Sequence, residues 1–164
     1  MGTRATIYAK QPKYMPFVST WKTDNTSTGS STVNQVKLPL VAGGSYNFVI
    51  EWGDGSVERI SAWNQANVTH TYATAGTYQI TIKGKCIGWS FSNTGDRLKL
   101  LSIQKWGSTS YTVAGAYYGC ANLTLTGVSD VINFKGVTSL NQIFSDCTSL
   151  TTINRISEWD MSSI

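Results

Sequence analysis

Few side chains here are suited to chemistry, and their spacing limits what they can do. His70 is the only histidine, which excludes a multi-histidine metal centre or a paired-imidazole device. Its setting, Val68-Thr69-His70-Thr71-Tyr72, favours a hydrogen-bonded structural role. Glu51, Asp54 and Glu58 surround a glycine-rich turn, where carboxylates and carbonyls suit calcium. Their spacing lacks the alternating ligand positions and terminal Glu of an EF-hand loop, so Asp54 is expected to serve the turn itself. Cys86, Cys120 and Cys147 are odd in number and show no CxxC spacing, which points to buried thiols rather than a zinc site or a disulfide framework. GxSxG, P-loop, GxGxxG and HExxH motifs are all missing from the sequence, so no catalytic, metal-ligating or cofactor-binding residue is assigned. A carbohydrate-active enzyme built on two facing carboxylates is the remote alternative.

Aromatic residues are the other candidates, because exposed rings stack on sugars or pack against protein partners. Trp63, Trp89, Trp106, Tyr111, Tyr117 and Tyr118 form this group. Trp106 and Trp159 recur with a repeat described below and are expected in the interior. Tyr111 and Tyr118 fall on no repeat landmark and are the candidate ligand-contact aromatics.

The elements that hold these residues follow from composition and periodicity. Charged residues are only 13% of the 164, aromatics 12% and hydrophobics 41%, the make-up of an extracellular β protein rather than a helical cytosolic enzyme. Of the 13 basic and 9 acidic residues, residues 1 to 85 hold eight and four, and residues 86 to 164 hold five of each. Arg4, Lys10, Lys13 and Lys22 precede the first acid, Asp24, and form a candidate docking leader. No Arg-rich run or recognition motif accompanies them, so nucleic acid is not an expected partner. No apolar run is long enough to span a membrane. The N-terminus has no apolar secretory core, so an exported natural protein is expected to have lost its signal.

Pro12, Pro16 and the polar run Thr23 to Thr32 mark residues 1 to 32 as leader and loop, with a candidate strand at Phe17 to Trp21. Six further segments read as short strands: Val33–Val41, Tyr46–Trp52, Val57–Trp63, Val68–Tyr72, Thr77–Lys83 and Ile87–Phe91. Turn signals at Ala42-Gly43-Gly44, Gly53-Asp54-Gly55 and Ala75-Gly76 separate them. In Thr77–Lys83, Tyr78, Ile80 and Ile82 share one face, opposite Thr77, Gln79, Thr81 and Lys83. Tyr46, Phe48, Ile50 and Trp52 alternate in the same way. Half-buried antiparallel strands at this spacing predict a β-sandwich.

Three ordered motifs carry a resemblance: Glu51-Trp52-Gly53-Asp54-Gly55-Ser56, Val68-Thr69-His70-Thr71-Tyr72, and Ala75-Gly76-Thr77-Tyr78-Gln79-Ile80-Thr81-Ile82. Together they resemble the signature of PKD domains, which implies an immunoglobulin-like sandwich over residues 33 to 95.

Residues 96 to 164 are internally periodic. Ile103-Gln104-Lys105-Trp106 returns as Ile156-Ser157-Glu158-Trp159 after 53 residues, with Ile132 midway. Val113 and Leu140, Tyr117 and Phe144, Cys120 and Cys147, Leu123 and Leu150, Phe134 and Met161, and Val137 and Ile164 each lie 27 apart. Between these landmarks the register slips by one, aligning Leu125 with Ile153 and Val128 with Ile156. A period of 26 to 27 residues predicts coils that stack like on like. Cys120 would then lie near Cys147, close enough for a disulfide, although reduced thiols are expected. The spacing from Phe144 through Cys147, Leu150, Ile153 and Ile156 to Trp159 resembles the BspA-like short leucine-rich repeats of bacterial and phage-encoded surface proteins, in which a PKD-like head commonly precedes the repeats.

Taken together, the sequence predicts a mainly β protein, an immunoglobulin/PKD-like sandwich followed by the first coils of a leucine-rich-repeat-like solenoid. The resemblance implies a non-enzymatic adhesion module, extracellular on a bacterial surface, presenting the solenoid to a protein or glycan of a host or neighbouring cell. The alternative is a phage virion fibre or decoration protein docking through the basic leader. The repeat tract is expected to be truncated, leaving an open end that a further copy of the chain could cover.

Overall fold

A computed structural model describes residues 13 to 164. The alternation seen in the sequence becomes seven strands: β1 (Phe17–Lys22), β2 (Gln35–Lys37), β3 (Leu40–Glu51), β4 (Val57–Ile60), β5 (Thr69–Thr71), β6 (Thr77–Trp89) and β7 (Leu100–Lys105). Five form an antiparallel sheet in the order β4-β3-β6-β1-β7, and β2 pairs antiparallel with β5 in a second, two-stranded sheet. The chain is thus mainly β, with a pairing compatible with a β-sandwich. Ile50, Ile80 and Ile82 of the large sheet and Val36 of the small one are buried in one core with Trp52 and Tyr72. The polar partners on β6, Thr77, Gln79 and Lys83, face solvent, as the period-two pattern requires.

Two expectations about strand limits are corrected. Ala42-Gly43-Gly44 does not end a strand; it lies inside β3 as an irregularity, where the register with β6 shifts between Leu40 and Ser45. The cause is Tyr46. Its hydroxyl accepts from the Val41 amide and lies within bonding distance of the Val41 and Gly88 carbonyls. A Cβ at position 44 would collide with that hydroxyl. On β6, Thr77–Lys83 and Ile87–Trp89 run together as one strand through Gly84, whose φ of 138° lets it pass directly over Phe48.

Two strands of the large sheet come from outside the segment 33 to 95 expected to build it. β1, from the presumed leader, is an interior strand between β6 and β7. Phe17 and Trp21 point to the core, and the Trp21 indole N–H donates to the buried Ser19 hydroxyl at 2.8 Å. β7 comes from the periodic region and pairs with β1. The large sheet is therefore shared by the segment 33 to 95 and the residues on either side of it.

A buried ionic node closes the loop between β1 and β2 onto the β6–β7 connection. Asp96 accepts from the Ser31 amide and hydroxyl and from the Lys37 amide, each at 2.6 Å. Lys99 Nζ lies 3.7 Å from Asp96 and donates to the Ser31, Thr32 and Gln35 carbonyls and the Ser31 hydroxyl. Both side chains are fully buried, a placement that charged groups adopt only when paired and hydrogen-bonded.

Beyond β7 no further strand forms among the described residues, yet backbone groups one period apart bond to one another. Gly115, Tyr117 and Gly119 donate to Asn141, Ile143 and Ser145, and Ser149 donates back to Ala121. Parallel bridges join Ser102 to Thr124 and Leu125 to Ile153, the latter in the slipped register. Tyr117 and Phe144 stack with centroids 5.7 Å apart and planes within 13°. Asp130 anchors the first turn by accepting from the Trp106 and Gly107 amides at 2.7 and 2.9 Å.

Cys86, Cys120 and Cys147 are free and buried. The Cys147 thiol donates to the Tyr117 carbonyl at 3.1 Å. Burial pushes the Cys86 thiol up to about 12 and Cys147 up to about 11, and raises Cys120 well above its ordinary value. Because the thiolate is the reactive species, the folded chain is expected to resist thiol-specific labelling at pH 8, with all three cysteines reacting only as it unfolds. Fast labelling of even one thiol in the absence of denaturant would contradict this packing. Among the described residues, no helix is long and apolar enough to cross a membrane.

Candidate functional site

The turn that carries the most chemically suggestive residues is organised around packing. Gly53 sits at φ 89° with Gln79 so close that a Cβ would meet its carbonyl at 2.5 Å, so only glycine fits there. This bend aims Asp54 back at the small sheet. One Asp54 oxygen accepts from the Ser56 amide at 2.9 Å and the other pairs with His70 Nε2 at 2.8 Å. The His70 ring stacks on Trp52, 4.8 Å away and 11° from parallel, and meets Tyr72 edge-on. Tyr72 donates from its hydroxyl to the Trp52 carbonyl. Glu58 accepts from the Trp52 indole and Glu51 pairs with Lys83. The three carboxylates thus turn to three different partners, and no group of three metal-ligating side chains occurs among the described residues.

Burial raises the Asp54 carboxyl, but its bonds to His70 and Ser56 outweigh that and hold it below its ordinary 3.8. A depressed carboxylate adds stability above its unfolded value and loses it as pH falls through the lower folded one. Asp54→Asn is therefore expected to cost most at neutral pH, and its deficit should narrow below about pH 3.8. Chemical unfolding at pH 7 and at pH 3 checks this; a deficit that is equal at both would argue against a depressed Asp54 carboxylate.

A concave surface lies elsewhere, where three segments meet. The loop before β2, the β2–β3 connection and the turn after β6 enclose a solvent-open cleft of about 560 Å³. Phe91, Ser92, Asn93 and Thr94 form a tight turn with positive φ at both central residues, 45° and 58°, closed by the Thr94 amide donating to the Phe91 carbonyl at 2.9 Å. The Ser92 and Asn93 amides donate to Gly115 and Tyr118, which ties this rim to the periodic region. Arg97 also lines the cleft, donating to Ser27 at 3.0 Å, with its stem beside the Asn93 side chain against Gly119. A second cleft of about 350 Å³ adjoins it across a shared wall of Lys37 and Leu40, and Trp63 lines its far side.

Among residues lining either cleft, Asp96 is the sole carboxylate, and its oxygens are occupied within the buried node. Lys37 and Arg97 are the cations, and neither pairs with a carboxylate among the described residues. Trp63 is 45% exposed, the ring most accessible to a partner among the described tryptophans.

The expected contact aromatics fare differently. Tyr111 is corrected: it is buried, 1% exposed, because it fills the space beside Trp106 and Tyr117, with its hydroxyl 2.8 Å from that of Tyr117. Tyr118 is half-buried under the Asn93 turn. Trp106 is interior, while Trp159 is only partly covered. Of the basic leader, Arg4 and Lys10 lie outside the described residues, Lys13 is exposed, and Lys22 is paired with Asp24 at 2.8 Å. In the last period Ile156, Met161 and Ile164 are 54%, 44% and 46% exposed, whereas Val128, Phe134 and Val137 one period earlier are 6%, 1% and 3%.

No protein-family profile, no curated protein and no solved structure matches the chain.

Proposed function

We propose that the chain is a non-enzymatic binding and adhesion module of an extracellular surface, in which a PKD-like, immunoglobulin-like sandwich carries the first coils of a BspA-like leucine-rich-repeat solenoid. The observation that carries this is the continuous cleft surface of Lys37, Leu40, Trp63, Asn93 and Arg97, which combines an exposed ring, free cations and amide groups. Such surfaces recognise ligands by complementarity, with few polar groups fixing orientation. The backbone bonding at a period of 26 to 28 residues supports the solenoid. In that arrangement each coil covers the previous one, and the loops between coils give an extended face. The ligand is a protein or glycan of a host or neighbouring cell.

An array of immobilised cell-surface proteins and defined glycans tests the proposal. The labelled chain is expected to be retained saturably on a small subset, and the retained glycans should be recovered chemically unchanged. Retention no greater than that of heat-unfolded chain would overturn the proposal, and so would shortened glycans.

A further inference from the structure

The two adjoining clefts point to a ligand class. We propose that they form one track for an acidic oligosaccharide, a chain of pyranose rings bearing carboxylates, with Trp63 stacking on a ring at one end and Lys37 and Arg97 taking the acidic groups. This deepens the binding-module proposal above and rests on it.

The argument starts from continuity. Lys37 and Leu40 belong to both clefts, so a linear ligand can pass from one to the other without leaving the surface. Each volume, about 560 and 350 Å³, lies in the usual range for small-molecule sites. An elongated ligand of several rings uses both.

The lining combines the two kinds of surface that a sugar presents. A pyranose presents an apolar C–H face and a polar rim of hydroxyls. Trp63 and Leu40 supply apolar surface for the former, while Asn64, Asn93 and Thr94 supply amide and hydroxyl groups for the latter. An indole that stays 45% exposed on a folded surface is matched to a flat C–H face, which it covers at low entropic cost.

Charge selects the acidic class. The Asp96 carboxylate is buried and answered by Lys99 and three donors, so it leaves the mouth to Lys37 and Arg97. Arg97 is also held in place: one guanidinium nitrogen donates to Ser27, and a Cβ at Gly119 would meet its Cδ at 2.7 Å, so the stem lies against that backbone. A fixed fork with free donors suits a carboxylate. Two cations and one exposed ring fit a sparsely charged glycan better than a phosphate-dense nucleic acid.

Calorimetry on the full chain tests the proposal, using a glucuronic-acid-containing tetrasaccharide and a neutral tetrasaccharide of matched length. The acidic sugar is expected to bind one to one and about tenfold or more tighter than the neutral one, weakening as salt is raised. The double variant Lys37→Ala/Arg97→Ala should lose about tenfold or more for the acidic sugar only, and Trp63→Ala should lose about tenfold for both. Lys37 and Trp63 are exposed, so Lys37→Ala and Trp63→Ala should keep the parent's thermal midpoint, while loss of the half-buried Arg97 and its bond to Ser27 should lower the double variant's midpoint without unfolding it. Equal affinity for the two sugars, parent-like binding by the double variant, or no binding of the acidic sugar would each overturn the proposal. If the array still retains the chain while the acidic sugar fails, the track falls and the binding module stands; if both fail, both fall.

Discussion

Replacing Lys99 with methionine is expected to destabilise the chain by about 3–5 kcal/mol, the range for breaking a buried ion pair from one side. Methionine fills the space but removes every donor. The Ser31, Thr32 and Gln35 carbonyls and the Ser31 hydroxyl lose a shared partner in part-buried bonds, and the buried Asp96 carboxylate loses the cation 3.7 Å away. Each orphaned group carries its own desolvation cost. Because Asp96 also holds the Lys37 amide, the damage should extend to the cleft wall, and ligand binding should weaken along with stability. Denaturant unfolding of the parent, Lys99→Met and Lys99→Arg checks this. A loss below about 1 kcal/mol in Lys99→Met would place the node among ordinary surface ion pairs and contradict its described burial.

Trp106→Ala is the second large effect, expected at about 3–5 kcal/mol. Trp106 is buried against Tyr111 and Tyr117 with centroids 6.2 and 5.7 Å away, where β7 gives way to the periodic region. Removing it opens a cavity between the two regions. β7 pairs with β1 and is bridged through Ser102 to Thr124, so the two regions share a sheet edge and should unfold together. Tryptophan fluorescence, far-ultraviolet dichroism and labelling of Cys120 and Cys147 should therefore report one transition in parent and variant alike. Separate transitions, with the cysteines exposed well before the sheet melts, would show that the shared edge does not couple them.

Much of the architecture was legible because strand burial writes itself into alternation. Tyr78, Ile80 and Ile82 on β6, and Phe48, Ile50 and Trp52 at the end of β3, needed no distant information. Gly53 was legible for a local reason, since a turn between alternating runs calls for positive φ. The one-residue slip that aligns Leu125 with Ile153 was visible as a repeat and reappears as a backbone bridge. The limits of β3 were not legible, because the irregularity at Gly44 depends on a Tyr46 hydroxyl reaching Gly88 across the sheet. β7 was hidden inside the periodic region, whose repeat was the stronger signal. Tyr111 shows the opposite failure: lying off the repeat suggested exposure, yet such a residue can fill the irregular space where two regions join. A signal for the ionic node was present in Leu98-Lys99-Leu100-Leu101, a lysine within an apolar run, but its partners come from residues 31 to 37. The clefts were least legible of all, because Lys37, Trp63 and Arg97 come together only through the fold.

Under the proposed function the chain binds a cell surface without altering it. Saturation binding of fluorescent full chain to intact host or neighbouring cells, competed with excess unlabelled chain, tests it most directly. The expected result is a saturable, fully competed signal, and cells recovered after washing should bind a second application to the same level. Signal that rises linearly with added chain and resists competition would contradict the claim, as would cells whose capacity is consumed by the first exposure.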